Sequence, residues 1–291
     1  METVLQLLIS TLQIGAVYVL FSLGLTLIFG TMRIVNFAHG QVFTVSALVV
    51  SYIAPILTKM GLPGLGTVVV SSLGGIVASL ILGAIIYIFG LRYFRRDFHG
   101  SFIFTLGVVL FSNGVLLSTF GGIVRPVPQI FSDSIALWGV RVSNQRLIIC
   151  VSAILISSLL YIALSKTRLG MSLRAVTADH EAAMLQGIPY NRLAFTGFMV
   201  ATALAGIAGA LTAPIAAVSP NLGADYLMKG FIAVIIGGLG SVSGAIVGSL
   251  FIGMIEAVVG YYFDASSAAV ASLILVIFVL LVRPYGLFGH V

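Results

Sequence analysis

Nine apolar runs occupy most of this chain, and most of them are long enough to cross a lipid bilayer. One crossing of a hydrocarbon core about 30 Å thick takes about 20 helical residues. The runs cover residues 4–29, 41–56, 64–91, 101–120, 147–164, 193–218, 223–239, 244–263 and 268–282. Only 8% of the residues are charged, whereas soluble proteins carry about 25%. We therefore expect an all-α polytopic membrane helix bundle of about nine spans (eight to ten).

Residues 1–291 form a single transmembrane domain in this interpretation, because the spans and their connections leave no room for a soluble one. The glycine-rich break at 237–241 interrupts an apolar stretch that is too long for one span and short for two. This predicts short or broken helices there, or a re-entrant turn. The lone Cys150 can form neither an internal disulfide nor a multi-thiolate metal site, and we expect no cofactor.

The 14 Lys and Arg residues outnumber the 8 Asp and Glu residues, but they are scattered among the connections between runs. This distribution reflects membrane topology and does not indicate a nucleic-acid partner. With the N-terminus outside, nine basic residues fall on the inner side and five, Lys229 among them, on the outer side. The positive-inside rule therefore favours an N-out, C-in orientation.

A short capped helix is predicted within the polar segment 165–192, on the cytosolic side. Asp179 is a good N-cap, Glu181 lies in the first turn, where the helix dipole favours a carboxylate, and Gly187 supplies the stop. The small Ala182 and Ala183, with apolar Leu185, suit a peg that enters a groove on another protein. The alternative is an ordinary cytosolic helix with no such role.

The sequence of that helix resembles the beginning of the EAA loop of ABC-importer permeases, with Glu-Ala-Ala followed after three residues by Gly. The Ile-x-Leu-Pro continuation of that loop is absent. Four further stretches, at 24–40, 167–176, 237–245 and 283–289, resemble the signatures of the LivH-type permeases of branched-chain amino-acid ABC transporters, in the same order. The resemblance covers about residues 15–289.

This resemblance implies a prokaryotic inner-membrane permease that pairs with a second, LivM-like permease, two cytosolic ATPases and an external binding protein. The chain contains no G-x-x-x-x-G-K-[ST] phosphate loop, so ATP hydrolysis must come from partner subunits and the chain itself is no enzyme. Branched-chain amino acids are the implied substrates, with urea and short amides left open. Contact with the ATPase is expected at Arg174, Asp179, Glu181, Ala182, Ala183, Leu185 and Gly187.

Polar side chains within the membrane are candidates for a pathway or gate. Arg33, Asn36 and His39 recur every three residues after the first span, along one side of a helical or 3₁₀ turn. They either line the inner end of the pathway or satisfy exposed backbone at a helix break, with Arg33 at the interface. Mid-span Asn113 either bonds to a neighbouring helix or contacts a ligand.

Glu256 is the carboxylate placed well inside a predicted span, and it could serve in structural hydrogen bonding, cavity lining or proton relay. Gly240, Gly244 and Gly248 form two G-x-x-x-G steps on broadly the same face, which predicts a close helix contact. An ion-coupled secondary transporter of amino acids or amides is the alternative function. It would need intramembrane groups such as Glu256, and it usually shows duplicated halves, which the sequence lacks.

Overall fold

The computed structural model describes residues 2–94, 97–127, 134–137 and 140–289. Within these ranges the chain forms eleven α-helices, one π-helical turn at Tyr87–Leu91 and an antiparallel hairpin of β1 (Ser134–Leu137) and β2 (Val140–Ser143). The helices are α1 (Glu2–Met32), α2 (His39–Lys59), α3 (Gly64–Ile86), α4 (Phe98–Phe120), α5 (Asn144–Lys166), α6 (Arg168–Ala178), α7 (His180–Leu185), α8 (Tyr190–Thr212), α9 (Leu222–Gly237), α10 (Val242–Tyr262) and α11 (Ala265–Val282).

Each of the nine apolar runs corresponds to a helix, and the all-α polytopic bundle is confirmed. In the described part of the chain, eight helices are long and apolar enough to cross a membrane. The helix that corresponds to the remaining run, α9, has 16 residues. At 1.5 Å per residue it is about 24 Å long, shorter than a hydrocarbon core of about 30 Å. The break at 237–241 is a tight turn between short α9 and full-length α10.

Two elements were not predicted. The hairpin lies in the long connection between α4 and α5. Helix α6 precedes the predicted capped helix, which is α7. Thr167 caps α6 by accepting a hydrogen bond from the backbone N–H of Gly170 (3.1 Å). The period of α6 buries Leu173 and Val176 and leaves Arg174 exposed, as expected for an amphipathic helix at a surface.

Helix α1 is the centre of the bundle. It is apolar on all sides, and nearly every residue from Gly15 to Ile28 is buried against α8, α10, α5 and α9. A helix without a polar face is stable only where every side meets apolar surroundings. By contrast, α4 and α11 leave most of their apolar surface exposed. Those outer helices therefore face lipid or another membrane protein.

Four connections meet at one end of the bundle, where Arg33, Arg174, Gly240 and Gly289 line a common cavity of about 720 Å³. We call this the basic end. The long apolar helices that precede these four positions are α1, α5, α9 and α11, respectively. All four positions can therefore lie on one side of a membrane only if the short α9 also crosses it. At the opposite end, the backbone N–H of Arg125 donates to the carbonyl of Val218 (3.0 Å).

The segment 283–289 folds back against the end of α9. The backbone N–H groups of Leu287 and Phe288 donate to the carbonyls of Ile236 (2.8 Å) and Gly237 (2.9 Å). The last carbonyls of a helix lack partners within the helix, so this return of the chain satisfies two of them. Two of the stretches singled out in the sequence, 237–245 and 283–289, are thus in direct contact.

Candidate functional site

The break between α1 and α2 does not form the regular turn that the sequence suggested. Residues 33–36 are not helical, and Arg33 has a φ of +53°, a conformation uncommon outside glycine. Arg33 is exposed, whereas Asn36 and His39 are each 1% exposed. The three side chains therefore do not share one polar side. The left-handed residue redirects the chain, so a helical spacing of three no longer applies.

His39 begins α2 deep inside the bundle. Its Nε2 lies 3.3 Å from the backbone carbonyl oxygen of Phe21, and the two rings pack edge to face. Phe21 lies eleven residues before the end of α1, a rise of about 16 Å. The segment 33–38 thus runs back into the bundle before α2 starts. A Cβ on Gly24 would lie 2.7 Å from the imidazole, so glycine at 24 makes room for His39.

Asn36 is the least satisfied polar side chain of this break. Neither its amide nitrogen nor its amide oxygen has a hydrogen-bond partner among the described residues. A buried polar group without a partner costs about 1–3 kcal/mol. Asn36 therefore does not satisfy the exposed backbone of the break through its side chain, as one of the two interpretations required.

Glu256 on α10 joins three helices. It accepts hydrogen bonds from the Tyr18 hydroxyl on α1 and from the Lys229 ammonium on α9. Lys229 thus lies within α9 and not on the outer surface, where the charge count had placed it. The sequence offered a signal for this pair, because Lys229 lies inside the apolar run 223–239, just as Glu256 lies inside the run 244–263.

The pair is only partly covered by the chain itself. The Lys229 and Glu256 side chains are 26% and 21% exposed, while Tyr18 is buried. Met228 and Asp225, nearby on α9, are exposed as well. Charged side chains at membrane depth face a protein interior or water rather than hydrocarbon. This face of α9 and α10 therefore borders another protein or a water-filled space.

Asn113 lies on α4, which has few buried residues. Its amide oxygen is buried but has no hydrogen-bond partner in the part of the chain that the structure describes. The interhelical hydrogen bond expected from the sequence is therefore not formed through that atom within this chain.

The glycines before and within α10 occupy two kinds of position. Gly244 and Gly248 face α9, where an added Cβ would collide with the backbone carbonyls of Gly237 and Ala233, respectively. Gly240 does not belong to this helix face. It lies in the turn before α10 with a φ of +86°, and its closest non-neighbouring atom is 3.9 Å from an added Cβ. The G-x-x-x-G spacing therefore has only one helical step here, 244 to 248.

Helix α7 has the caps that the sequence predicts. The Asp179 carboxylate accepts hydrogen bonds from the N–H groups of Glu181 (2.9 Å) and Ala182 (3.0 Å). Gly187 ends the helix with a φ of +79°. Such a left-handed residue after a helix favours glycine, which has no Cβ to clash.

The two faces of α7 differ in exposure. His180 and Ala183 are buried, and the His180 ring packs edge to face on Tyr190 at the start of α8 (4.3 Å between centroids). Ala182 is exposed and Leu185 is 87% exposed. The expectation that Ala183 lies on the outward docking surface was wrong. Residues three apart share a helix face, so Ala183 follows His180 inward.

Comparison with known proteins agrees with this architecture. The family described as the branched-chain amino acid transport system permease component matches residues 7–282. The BraD high-affinity branched-chain amino acid permease of Pseudomonas aeruginosa is 30% identical, over 98% of this chain and 96% of its own. The LivH permease of Escherichia coli is 29% identical over the same shares, and the probable LivH of Methanocaldococcus jannaschii is 31% identical over 93% and 88%.

The match extends through nearly all the membrane-spanning helices, α7 and the face that carries Lys229 and Glu256. It covers the break after α1 as well as the contact of α9 with α10. The chain therefore belongs to the family of permease components of branched-chain amino acid transport systems.

Proposed function

We propose that this chain is the permease subunit of an ATP-driven importer of branched-chain amino acids, working with a second permease, two cytosolic ATPases and an external binding protein. The observation that carries the proposal is the division of α7 into two faces. Its inner face is anchored on α8, while Glu181, Ala182 and Leu185 are free to contact a partner. The names of the relatives support the substrate class.

In this proposal α6 and α7 form the contact with one ATPase. Helix α7 is too short to be stable alone, so its packing through His180 and Ala183 keeps it in place. Arg174 of α6 donates a hydrogen bond to the backbone carbonyl of Ser165 at the end of α5 (3.2 Å). A displacement of α7 by the ATPase would therefore pass to α8 through the His180 contact and to α5 through α6.

The basic end faces the cytosol in this proposal. Arg33 and Arg174 line its cavity, and α6 and α7 lie between α5 and α8 at that end. Nine passes from the N-terminus to the segment 283–289 then leave the N-terminus outside and the C-terminal segment inside. The positive-inside rule gives the same orientation.

The exposed face of α9 and α10 borders the translocation path in this proposal. Lys229 and Glu256 are the polar groups that would meet a substrate there, and a zwitterionic amino acid carries the two opposite charges to match them.

The same pair also favours a second candidate, an ion-coupled carrier in which Glu256 takes up a proton. One experiment separates the two. Proteoliposomes with both permeases, the ATPases and the binding protein should accumulate leucine only when ATP is present, and vesicles with this chain alone should not. Leucine uptake by this chain alone, driven by a proton gradient, would overturn the importer proposal.

A further inference from the structure

Two cavities adjoin along the cleft between α1, α5 and α10. The first, of about 520 Å³, is apolar and is lined by Ala16 and Val19 of α1, Ala153 and Ile162 of α5, and Ile246 and Leu250 of α10. We call it the acyl groove. The second is the cavity of the basic end, of about 720 Å³. Leu164 and Val242 line the second cavity, two residues beyond Ile162 on α5 and one turn before Ile246 on α10.

The cavity of the basic end is suited to an anion. Arg33 and Arg174 both line it, and no carboxylate is among the described lining residues. Thr26 also lines it, and the buried Thr26 hydroxyl has no hydrogen-bond partner in the described structure. Arg33 reaches the cavity from a left-handed backbone position. Guanidinium groups bind phosphate through charge-assisted hydrogen bonds, so the two arginines suit an anionic headgroup.

The acyl groove lies at a depth that a lipid tail can reach from the basic cavity. From Thr26, in the basic cavity, to Ala16, in the groove, α1 rises ten residues, or about 15 Å. One leaflet of the hydrocarbon core is also about 15 Å deep. Basic pockets between membrane helices on the cytosolic side are sites where anionic lipid headgroups bind.

We infer that this cleft binds one anionic glycerophospholipid, with its phosphate between Arg33 and Arg174 and one acyl chain in the acyl groove. Such a lipid would occupy the cleft beside α1, the central helix, and would touch α6 next to the ATPase contact. The inference does not depend on which solute the permease carries.

The test measures bound lipid on the full chain, co-purified with its importer subunits and reconstituted in nanodiscs of phosphatidylcholine with a minor share of phosphatidylglycerol. Lipid that remains after mild detergent extraction is identified by mass spectrometry. We expect the wild type to retain phosphatidylglycerol well above its share in the nanodisc. Each arginine should contribute about fivefold to the affinity for phosphatidylglycerol. The double variant Arg33→Asn with Arg174→Gln should therefore lose this enrichment. Asparagine at 33 tolerates the left-handed backbone, so the change tests the charge.

A charge-matched control removes two other arginines at the same end. Arg168 and Arg192 are exposed and lie outside both cavities. The double variant Arg168→Gln with Arg192→Gln should therefore keep the enrichment. Equal retention in the two double variants would overturn the inference, because general attraction to the basic end would then explain the lipid.

The tail is tested separately from the headgroup. Ser158→Phe fills the acyl groove from an exposed position and should lower retention of every phospholipid, whereas Leu159→Phe, exposed and outside the groove, should not. Normal retention in Ser158→Phe would overturn the placement of the acyl chain. A cysteine at Ser158, in a Cys150→Ser background, that crosslinks to the second permease would also overturn it, since a protein helix would then fill the groove.

Discussion

Lys229 and Glu256 set the strongest electrostatic constraint on the membrane region. Each charge would be costly alone at this depth, and the Tyr18 hydroxyl supports the carboxylate from a third helix. Removing one partner leaves the other charge without a counter-charge, whereas replacing both with apolar residues leaves no charge to compensate. This difference separates a structural role of the pair from a role in the path.

We predict that Glu256→Gln lowers the free energy of unfolding of the purified subunit by about 1–3 kcal/mol. Lys229→Met with Glu256→Met should recover most of that loss, because methionine suits an apolar site. The double variant should nevertheless fail to import leucine, since the proposed path loses its polar groups. Thermal unfolding in detergent and uptake in vesicles measure the two effects.

Glu2→Gln serves as the control for loss of one acidic charge, because Glu2 is exposed at the start of α1. It should change neither stability nor uptake. Normal leucine import by the double methionine variant would show that the pair is only structural and that the path lies elsewhere.

At the scale of helices, the contact between α9 and α10 depends on the absence of side chains at two positions. We predict that Gly244→Leu separates the two helices and destabilises the subunit by about 1–3 kcal/mol, as overpacking does. Gly260→Leu makes the same change on the same helix, where nothing lies within 4 Å of an added Cβ. The Gly260→Leu variant should therefore co-purify with the second permease at the wild-type yield, and the Gly244→Leu variant should not. Equal yields of the two assembled variants would contradict the close contact.

Helix α7 presents Leu185 outward and Ala183 inward, which gives a sharp crosslinking prediction. In a Cys150→Ser background, a cysteine at Leu185 should crosslink to the ATPase, and a cysteine at Ala183 should not. Leu185→Ala should weaken ATP-driven uptake without loss of membrane insertion. Efficient crosslinks from a cysteine at Tyr93 instead, with none from Leu185, would move the contact to the connection between α3 and α4.

The end of α7 is tested by the conformation of its backbone. Gly187 has a positive φ, and nothing lies within 4 Å of an added Cβ, so only the backbone resists substitution. We predict that Gly187→Val impairs coupling far more than Gly187→Asn, because asparagine visits this conformation and a β-branched residue does not. ATPase activity stimulated by the binding protein is the measurement. Equal activities would mean that the cap does not matter for coupling.

At the scale of the whole molecule, the shared cavity of the basic end relates four connections to one membrane side. We predict that a cysteine at Met60, in a Cys150→Ser background, reacts with an impermeant maleimide on intact cells. A cysteine at Tyr93, one pass further along the chain, should react only after permeabilisation. Both positions are well exposed, so access to the compartment and not burial determines the labelling. The reverse pattern would invert the proposed orientation.

Hydropathy located the eight helices that are long enough to cross a membrane, and also the short α9, because burial in lipid depends mainly on the length of an apolar run. The caps of α7 were also predictable, since Asp179 and Gly187 act on the local backbone. Which side of α7 is buried was not, because it depends on the contact of His180 with Tyr190 in the next helix. The pairing of Lys229 with Glu256 likewise arises from tertiary packing, although each residue was visible as an ionisable group within an apolar run.

The hydrogen bonds from Leu287 and Phe288 to the end of α9 also bear on biosynthesis. Helix α9 is short, and two of its terminal carbonyls are satisfied by residues made about fifty positions later. A ribosome must therefore translate α10 and α11 before α9 acquires these partners. Membrane insertion of this region is then completed only near the end of translation, and chains released early would expose the unpaired end of α9 to the quality-control proteases of the cell.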